Sequence, residues 1–147
     1  MKLAIGCDNL ALDLKTKVME KLAKDGHEFK DFGCFSADPV DYPAYGEMVA
    51  RAVAAGEFER GILICGTGIG MCITANKVKG CYAAVCHDIY STERSILSND
   101  NNVMCMGALV IGPAVALAMV DKWLSLSFKE SPSRKKIDMI KSIEEQG

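Results

Sequence analysis

Hydrophobic positions along the chain switch between short β-rich runs and recurrences of about four residues, the pattern of strands laid between helices. Lys2–Gly6 reads as a first strand. Leu14, Val18 and Leu22 then recur every four residues, with Lys15, Lys17, Lys21 and Lys24 on other faces. That spacing predicts an amphipathic helix ending at Asp25-Gly26. Glu28–Phe32 predicts a second strand and Gly33–Asp41 a loop, and Pro43 fits the first turn of a helix running through Ala55. Gly61–Cys65 is an unbroken apolar run, read as a buried strand, and the glycine-rich Gly66–Gly70 follows it.

A helix to about Val78, a strand Tyr82–Cys86 and a helix Ile89–Ser98 come next. The fifth strand is predicted from Val103–Met106 together with Ala108–Ile111, and Pro113–Ser125 is a helix. Beyond the break at Ser131-Pro132, Ile137, Ile140 and Ile143 stripe one face of a last helix, at about residues 133–145. No repeat, low-complexity tract or linker divides the sequence. These elements predict one α/β domain over residues 1–147, a three-layer α/β/α sandwich with a five-stranded parallel sheet. The last helix is a candidate for packing on a second subunit, because the domain looks complete before it; packing on its own domain is the equal alternative.

Composition narrows the functional classes. The 147 residues carry 17 Lys+Arg against 19 Asp+Glu, a net charge of −2, so no electrostatic footprint for nucleic acid is present. Val103–Val120 is free of charge and approaches the length of a membrane span, about 18 residues at minimum. Gly107 and Gly112-Pro113 interrupt it, so a strand, a turn and a helix explain it better. The first residues are too short an apolar run for a signal peptide, and the expectation is a cytoplasmic protein with no membrane partner. The seven cysteines are an odd number without a Cys-x-x-Cys pair, so they read as thiols rather than as a metal knuckle or a disulfide set. Cys7, Cys72, Cys81, Cys86 and Cys105 sit in apolar segments and read as small buried hydrophobes. Cys65 is the exception.

Ligands of open parallel sheets sit at the carboxyl ends of the strands. Four segments carry polar or reactive groups suited to that edge: Cys7-Asp8-Asn9, Cys65-Gly66-Thr67, His87-Asp88 and Asn99-Asp100-Asn101-Asn102. The last reaches it only if its loop folds back. Gly66, Gly68 and Gly70, between a strand and a helix, let successive N–H groups face one concavity, an anion site at a helix start. A dinucleotide fingerprint fails because Met71 stands where its last glycine belongs, although Asp88 could imitate the ribose-binding acid. A tight turn that needs its glycines only for packing is the plainer alternative. Cys65 opens that loop, where the helix start favours negative charge, and suits a nucleophile or a base. Of the two histidines, His27 reads as a surface loop residue, and His87 is a candidate at the correct edge or a solvated loop histidine.

Gly6-Cys7-Asp8, Asp41-Tyr42-Pro43, Gly61 to Gly70, Ala75-Asn76-Lys77 and Asn99-Asp100-x-Asn102-Val103 occur in that order. Together they resemble the type B ribose-5-phosphate isomerase / galactose-6-phosphate isomerase family over essentially the whole chain. The resemblance implies a Rossmann-like fold and a metal-free, cofactor-free aldose–ketose isomerase. It also implies a homodimer or homotetramer with active sites built across a subunit interface. By resemblance, Cys65 is the base that carries a proton between C1 and C2, and Gly66, Gly68 and Gly70 hold the developing oxyanion with help from Asn99. Thr67 matches a residue that handles the sugar ring, and Asp8, Asn9 and Tyr42 stand at sugar-contacting positions.

Departures from the family pattern carry information too. Asn9 and Ser98 stand where many members have histidine, and Ser98 replaces the residue credited with ring opening. A Gly-Gly-Arg-His segment becomes Ser131-Pro132-Ser133, and a later arginine becomes Lys136, so the run Arg134-Lys135-Lys136 is the candidate replacement for a lost phosphate grip. Three readings follow: a pentose- or hexose-phosphate isomerase helped by His87 or water, with the tail leaning towards galactose 6-phosphate; an isomerase of an open-chain tetrose 4-phosphate, which needs no ring opening; or a non-catalytic sugar-phosphate-binding subunit of a hetero-oligomer.

Overall fold

The computed structural model describes all 147 residues. Its elements follow in chain order as β1 (Lys2–Cys7), α1 (Leu12–Lys24), β2 (Glu28–Asp31), α2 (Tyr42–Ala54), β3 (Arg60–Cys65), α3 (Ile69–Asn76), β4 (Ala83–Val85), α4 (Ile89–Leu97), β5 (Val103–Gly107), α5 (Pro113–Leu124) and α6 (Ser133–Gln146). The five strands are all parallel and lie in the order β2-β1-β3-β5-β4. The three-layer α/β/α sandwich expected from the sequence is therefore the observed fold.

Period-two alternation divides the strand residues between two cores. Leu3, Ile5, Ile62, Ile64, Met104 and Met106 face one layer, where they meet Leu14, Val18 and Leu22 of α1, Ile96 of α4 and Trp123 of α5. Ala4, Leu63, Cys65, Val103 and Cys105 face the other, against Val49 and Val53 of α2 and Met71 and Ala75 of α3. Burial on both faces explains why β1, β3 and β5 read as continuous apolar runs. Trp123 is fully buried, and its indole N–H donates to Asn101 Oδ1 at 3.0 Å. Arg60 stacks 5.1 Å over that ring and donates to the carbonyls of Trp123 and Leu126, which fixes the end of α5 beside the amino end of β3.

One expectation changes. Residues Ala108–Ile111 do not extend β5. The Ala108 and Leu109 N–H groups donate instead to the carbonyls of Cys65 and Gly66, at 2.8 and 3.0 Å, while Val110 and Ile111 turn back on the Gly107 carbonyl. The apolar run continues, but its hydrogen bonds leave the ladder. The last helix is seated on its own chain: Ile137 is buried, the Tyr82 hydroxyl donates to Glu144 at 2.7 Å, and Lys79 pairs with Glu145 at 2.9 Å. Met139 and Ile143 of the same helix remain 60% and 68% exposed, leaving an apolar stripe open. No helix is long and apolar enough to cross a membrane.

Candidate active site

The carboxyl edge of the sheet gathers most of the residues singled out by the sequence. β3 ends at Cys65, and the chain turns through Gly68, whose φ of +78° suits glycine, into α3. The Gly68 N–H donates to Cys65 Sγ at 3.1 Å, and the Ile69 N–H donates to Thr67 Oγ1 at 3.2 Å. The N–H groups of Gly66, Thr67, Gly70 and Met71 have no partner within the chain, so four amide donors remain for a ligand around the thiol. Cys65 is 5% exposed, and the Thr67 side chain lies open beside it.

Close backbone approach sets the loop in place. A Cβ at Gly107, the last residue of β5, would stand 2.6 Å from the Thr67 carbonyl carbon, so only glycine lets β5 support the loop. The Gly107 N–H donates to His87 Nε2 at 2.8 Å. An accepting Nε2 places the ring proton on Nδ1, and burial holds the pKa of His87 below its usual 6.5, which keeps the ring neutral. His87 is thus at the expected edge, but one nitrogen is committed to positioning the loop. The Tyr42 ring lies against Gly70 with no room for a Cβ between them, which brings its hydroxyl to the loop.

Asp8 and Asn9 follow β1 on the same edge. The Asp8 N–H donates to the Ile64 carbonyl at 3.1 Å, and its Oδ1 accepts from the Leu10 N–H at 3.0 Å. Asn9 Oδ1 accepts from the Val40 N–H at 3.4 Å, tying the segment before Tyr42 to the site. Burial raises the pKa of the Asp8 carboxyl above its usual 3.8, opposed in part by the Leu10 N–H. A raised folded-state pKa means stability that is complete below about pH 3.8 and lost as pH rises through the folded value. Asp8→Asn removes that loss while keeping an oxygen for Leu10. The expected outcome is a melting temperature at pH 7 no lower than the parent's, with a flatter dependence between pH 3 and 7 and a higher KM. Melts across that range, beside a substrate titration, check it.

A second thiol behaves differently from its sequence reading. Cys72 on α3 is half-buried, and a hydrogen bond from Cys105 lowers its pKa to about 7. Its sulfur accepts from the Asn76 side chain at 3.5 Å, on the β4 side of α3.

Asn99, Arg134 and Lys136 do not reach Cys65 within the chain. Asn99 precedes β5, which pairs in parallel with β3 as Gly61↔Val103 through Cys65↔Gly107, so it lies beyond the amino end of the sheet. Five strand residues separate the two levels, on the order of 13 Å. Asn99 lines a crevice of about 210 Å³ with Asp100, Tyr82, Ser95, Ile137 and Lys141. Arg134 opens α6 and is engaged by Glu130, with contacts at 2.7 and 3.1 Å, while stacking 4.4 Å over Phe128; Lys136 is exposed. Arg94, one turn before Ser98 on α4 and not among the residues expected at the site, donates its Nε–H to the Ser98 hydroxyl at 2.8 Å. Its four-residue spacing from Ser98 was the available signal.

A parallel α/β sheet whose carboxyl edge presents a thiol, unpartnered backbone amides, a carboxyl and a phenol carries the kinds of group that proton transfer next to a developing oxyanion requires. The particular family follows from comparison. A family model described as Ribose/Galactose Isomerase matches residues 3–140. The chain is 48% identical over 146 residues to the Ribose-5-P isomerase B of Listeria innocua, covering 99% of each chain. It is 42% identical over 150 residues to the D-erythrulose-4-phosphate isomerase of Pectobacterium atrosepticum, covering 99% of this chain and 97% of that one. The solved Ribose-5-Phosphate Isomerase B of Clostridium thermocellum superposes with a TM-score of 0.97 at 42% identity, covering 99% of both chains. The chain belongs to this family of sugar-phosphate isomerases.

Proposed function

We propose that this chain interconverts an aldose phosphate and its ketose through an enediolate, with Cys65 carrying the proton between C1 and C2. Moving a proton between adjacent carbons needs one base that reaches both, donors for the oxygen that becomes negative, and a hold on the substrate's other end. Cys65, the free amides of Gly66, Thr67 and Gly70, and the nearby Asp8 and Tyr42 supply the first two. The observation that carries this reading is the pairing of that thiol with unpartnered amide donors at the carboxyl edge, in a chain of this family.

The hold on the far end comes from a second copy. Asn99 and the basic start of α6 lie at the opposite end of the sheet from Cys65, and Leu10, Ile69, Leu109 and Val110 stand 54–73% exposed around the thiol loop. An apolar rim around a polar centre marks an association surface. A homodimer in which each thiol loop meets Asn99 of the partner subunit completes two sites and covers that rim.

Incubation in D2O with ribose 5-phosphate, galactose 6-phosphate or erythrose 4-phosphate, followed by NMR, tests the reading. Deuterium entering C2 of recovered aldose or C1 of its ketose supports enediol chemistry and identifies the substrate class. No exchange with any of the three by the folded protein would reject catalysis and favour a non-catalytic, sugar-phosphate-binding subunit. One observation favours the tetrose: Ser98 offers no imidazole to open a ring and its hydroxyl is already bonded to Arg94. A tetrose 4-phosphate cannot close a furanose ring, because its 4-oxygen carries the phosphate. The Pectobacterium relative's name points the same way.

A further inference from the structure

We infer that Arg94 is the substrate-gripping arginine of this chain, its guanidinium fork holding the terminal phosphate of a short, open-chain sugar. The chain has four arginines, and three are engaged. Arg51 pairs with Glu47 at 2.8 Å, Arg134 with Glu130 at 2.7 Å, and Arg60 donates to two backbone carbonyls beneath Trp123. Arg94 has no carboxylate within 4 Å and makes one hydrogen bond, from Nε to Ser98 Oγ. Its two terminal nitrogens are unpartnered although the side chain is half-buried.

That geometry prepares a fork. The serine hydroxyl accepts from Nε and restrains the planar group, leaving the terminal nitrogens to bind two oxygens of one tetrahedral anion. The last turn of α4 places the cation where the helix dipole is negative, so its charge is partly balanced before any ligand arrives. Ser98 adjoins Asn99, and the inference rests on the proposed reading in which Asn99 of the partner subunit completes the site. Pro132 carries no charge and Arg134 is engaged by Glu130, which leaves Arg94 as the arginine whose terminal nitrogens are free. A fork at position 94, beside a small hydroxyl instead of an imidazole, suits a substrate that arrives already linear.

Calorimetric titration of the full-length parent, Arg94→Ala and Arg94→Lys with inorganic phosphate tests the grip without requiring turnover, and kinetics with erythrose 4-phosphate follow. Arg94→Ala is expected to weaken phosphate binding at least tenfold and raise KM by a similar factor, with kcat changed less than threefold. Arg94→Lys should restore part of the affinity, because the charge returns without the fork. A melting temperature close to the parent's would separate these effects from a structural role. Phosphate affinity within twofold of the parent in Arg94→Ala, or no phosphate binding by the parent, would overturn the inference. Loss of phosphate binding in Arg94→Ala with a parent that binds phosphate but exchanges no deuterium would uphold the grip and reject the isomerase reading.

Discussion

Replacing Cys65 by alanine is expected to lower kcat about a thousandfold with any sugar phosphate the parent accepts, within the usual contribution of a positioned acid–base group. The sulfur is the thiol at the mouth of the amide-lined loop, and no carboxylate or imidazole contacts it to take over the proton. Asp8 is committed to the Leu10 N–H and His87 Nε2 to the Gly107 N–H. The fold should survive, because alanine at a largely buried position opens a cavity of one sulfur atom, at roughly 1 kcal/mol. Turnover by NMR beside a thermal melt separates the two effects. A folded Cys65→Ala protein that still isomerises would remove the thiol as base, and Cys65→Ser should be nearly as inactive, since a hydroxyl at neutral pH is a far weaker base than a thiolate.

The largest loss of stability is expected from Lys15→Met. Lys15 is 2% exposed on α1, and its ammonium lies 2.7 Å from Asp31 Oδ1 and 2.6 Å from the Cys34 carbonyl. The same Asp31 oxygen accepts from the Gly33 N–H at 2.8 Å. One buried cation therefore joins α1, the end of β2 and the loop that leads to Asn9's partner Val40 and on to Tyr42. Methionine keeps the stem but leaves Asp31 facing an uncharged neighbour, which costs about 3 kcal/mol, the lower end for a broken buried pair. For a chain of this size that lowers the melting temperature by roughly 6–12 °C. Lys15→Met combined with Asp31→Asn should recover part of the loss, because no charge is then left unpaired. A double variant as unstable as Lys15→Met alone would mean that the bond to the Cys34 carbonyl, rather than the ion pair, carries the effect.

Much of this architecture was legible because its signals are local. The apolar runs of β1 and β3, the recurrence of Leu14, Val18 and Leu22, and the glycines between Cys65 and α3 report on neighbours within one or two turns. Ala108–Ile111 misled because a strand and an apolar turn share a composition; only the Cys65 and Gly66 carbonyls, distant in sequence, decide between them. The support of Thr67 by Gly107, and the use of His87 to hold that glycine, are likewise contacts across some 20 residues or more that no periodicity records. The reactive loop could be read; the position of Asn99 could not, since the strand order that puts β5 between β3 and β4 is a property of the whole sheet.

The length of β5 has a consequence for how sequence change is tolerated in this protein. Cys65 and the Arg94–Ser98 pair are strangers during folding, separated by a strand's length in one chain, so their substitutions should perturb stability independently. In the assembled dimer proposed above they become neighbours across the two-fold axis. Residues at the amino end can then be exchanged to suit a new sugar without unsettling the loop that performs the chemistry, and the coupling between the ends appears only in turnover.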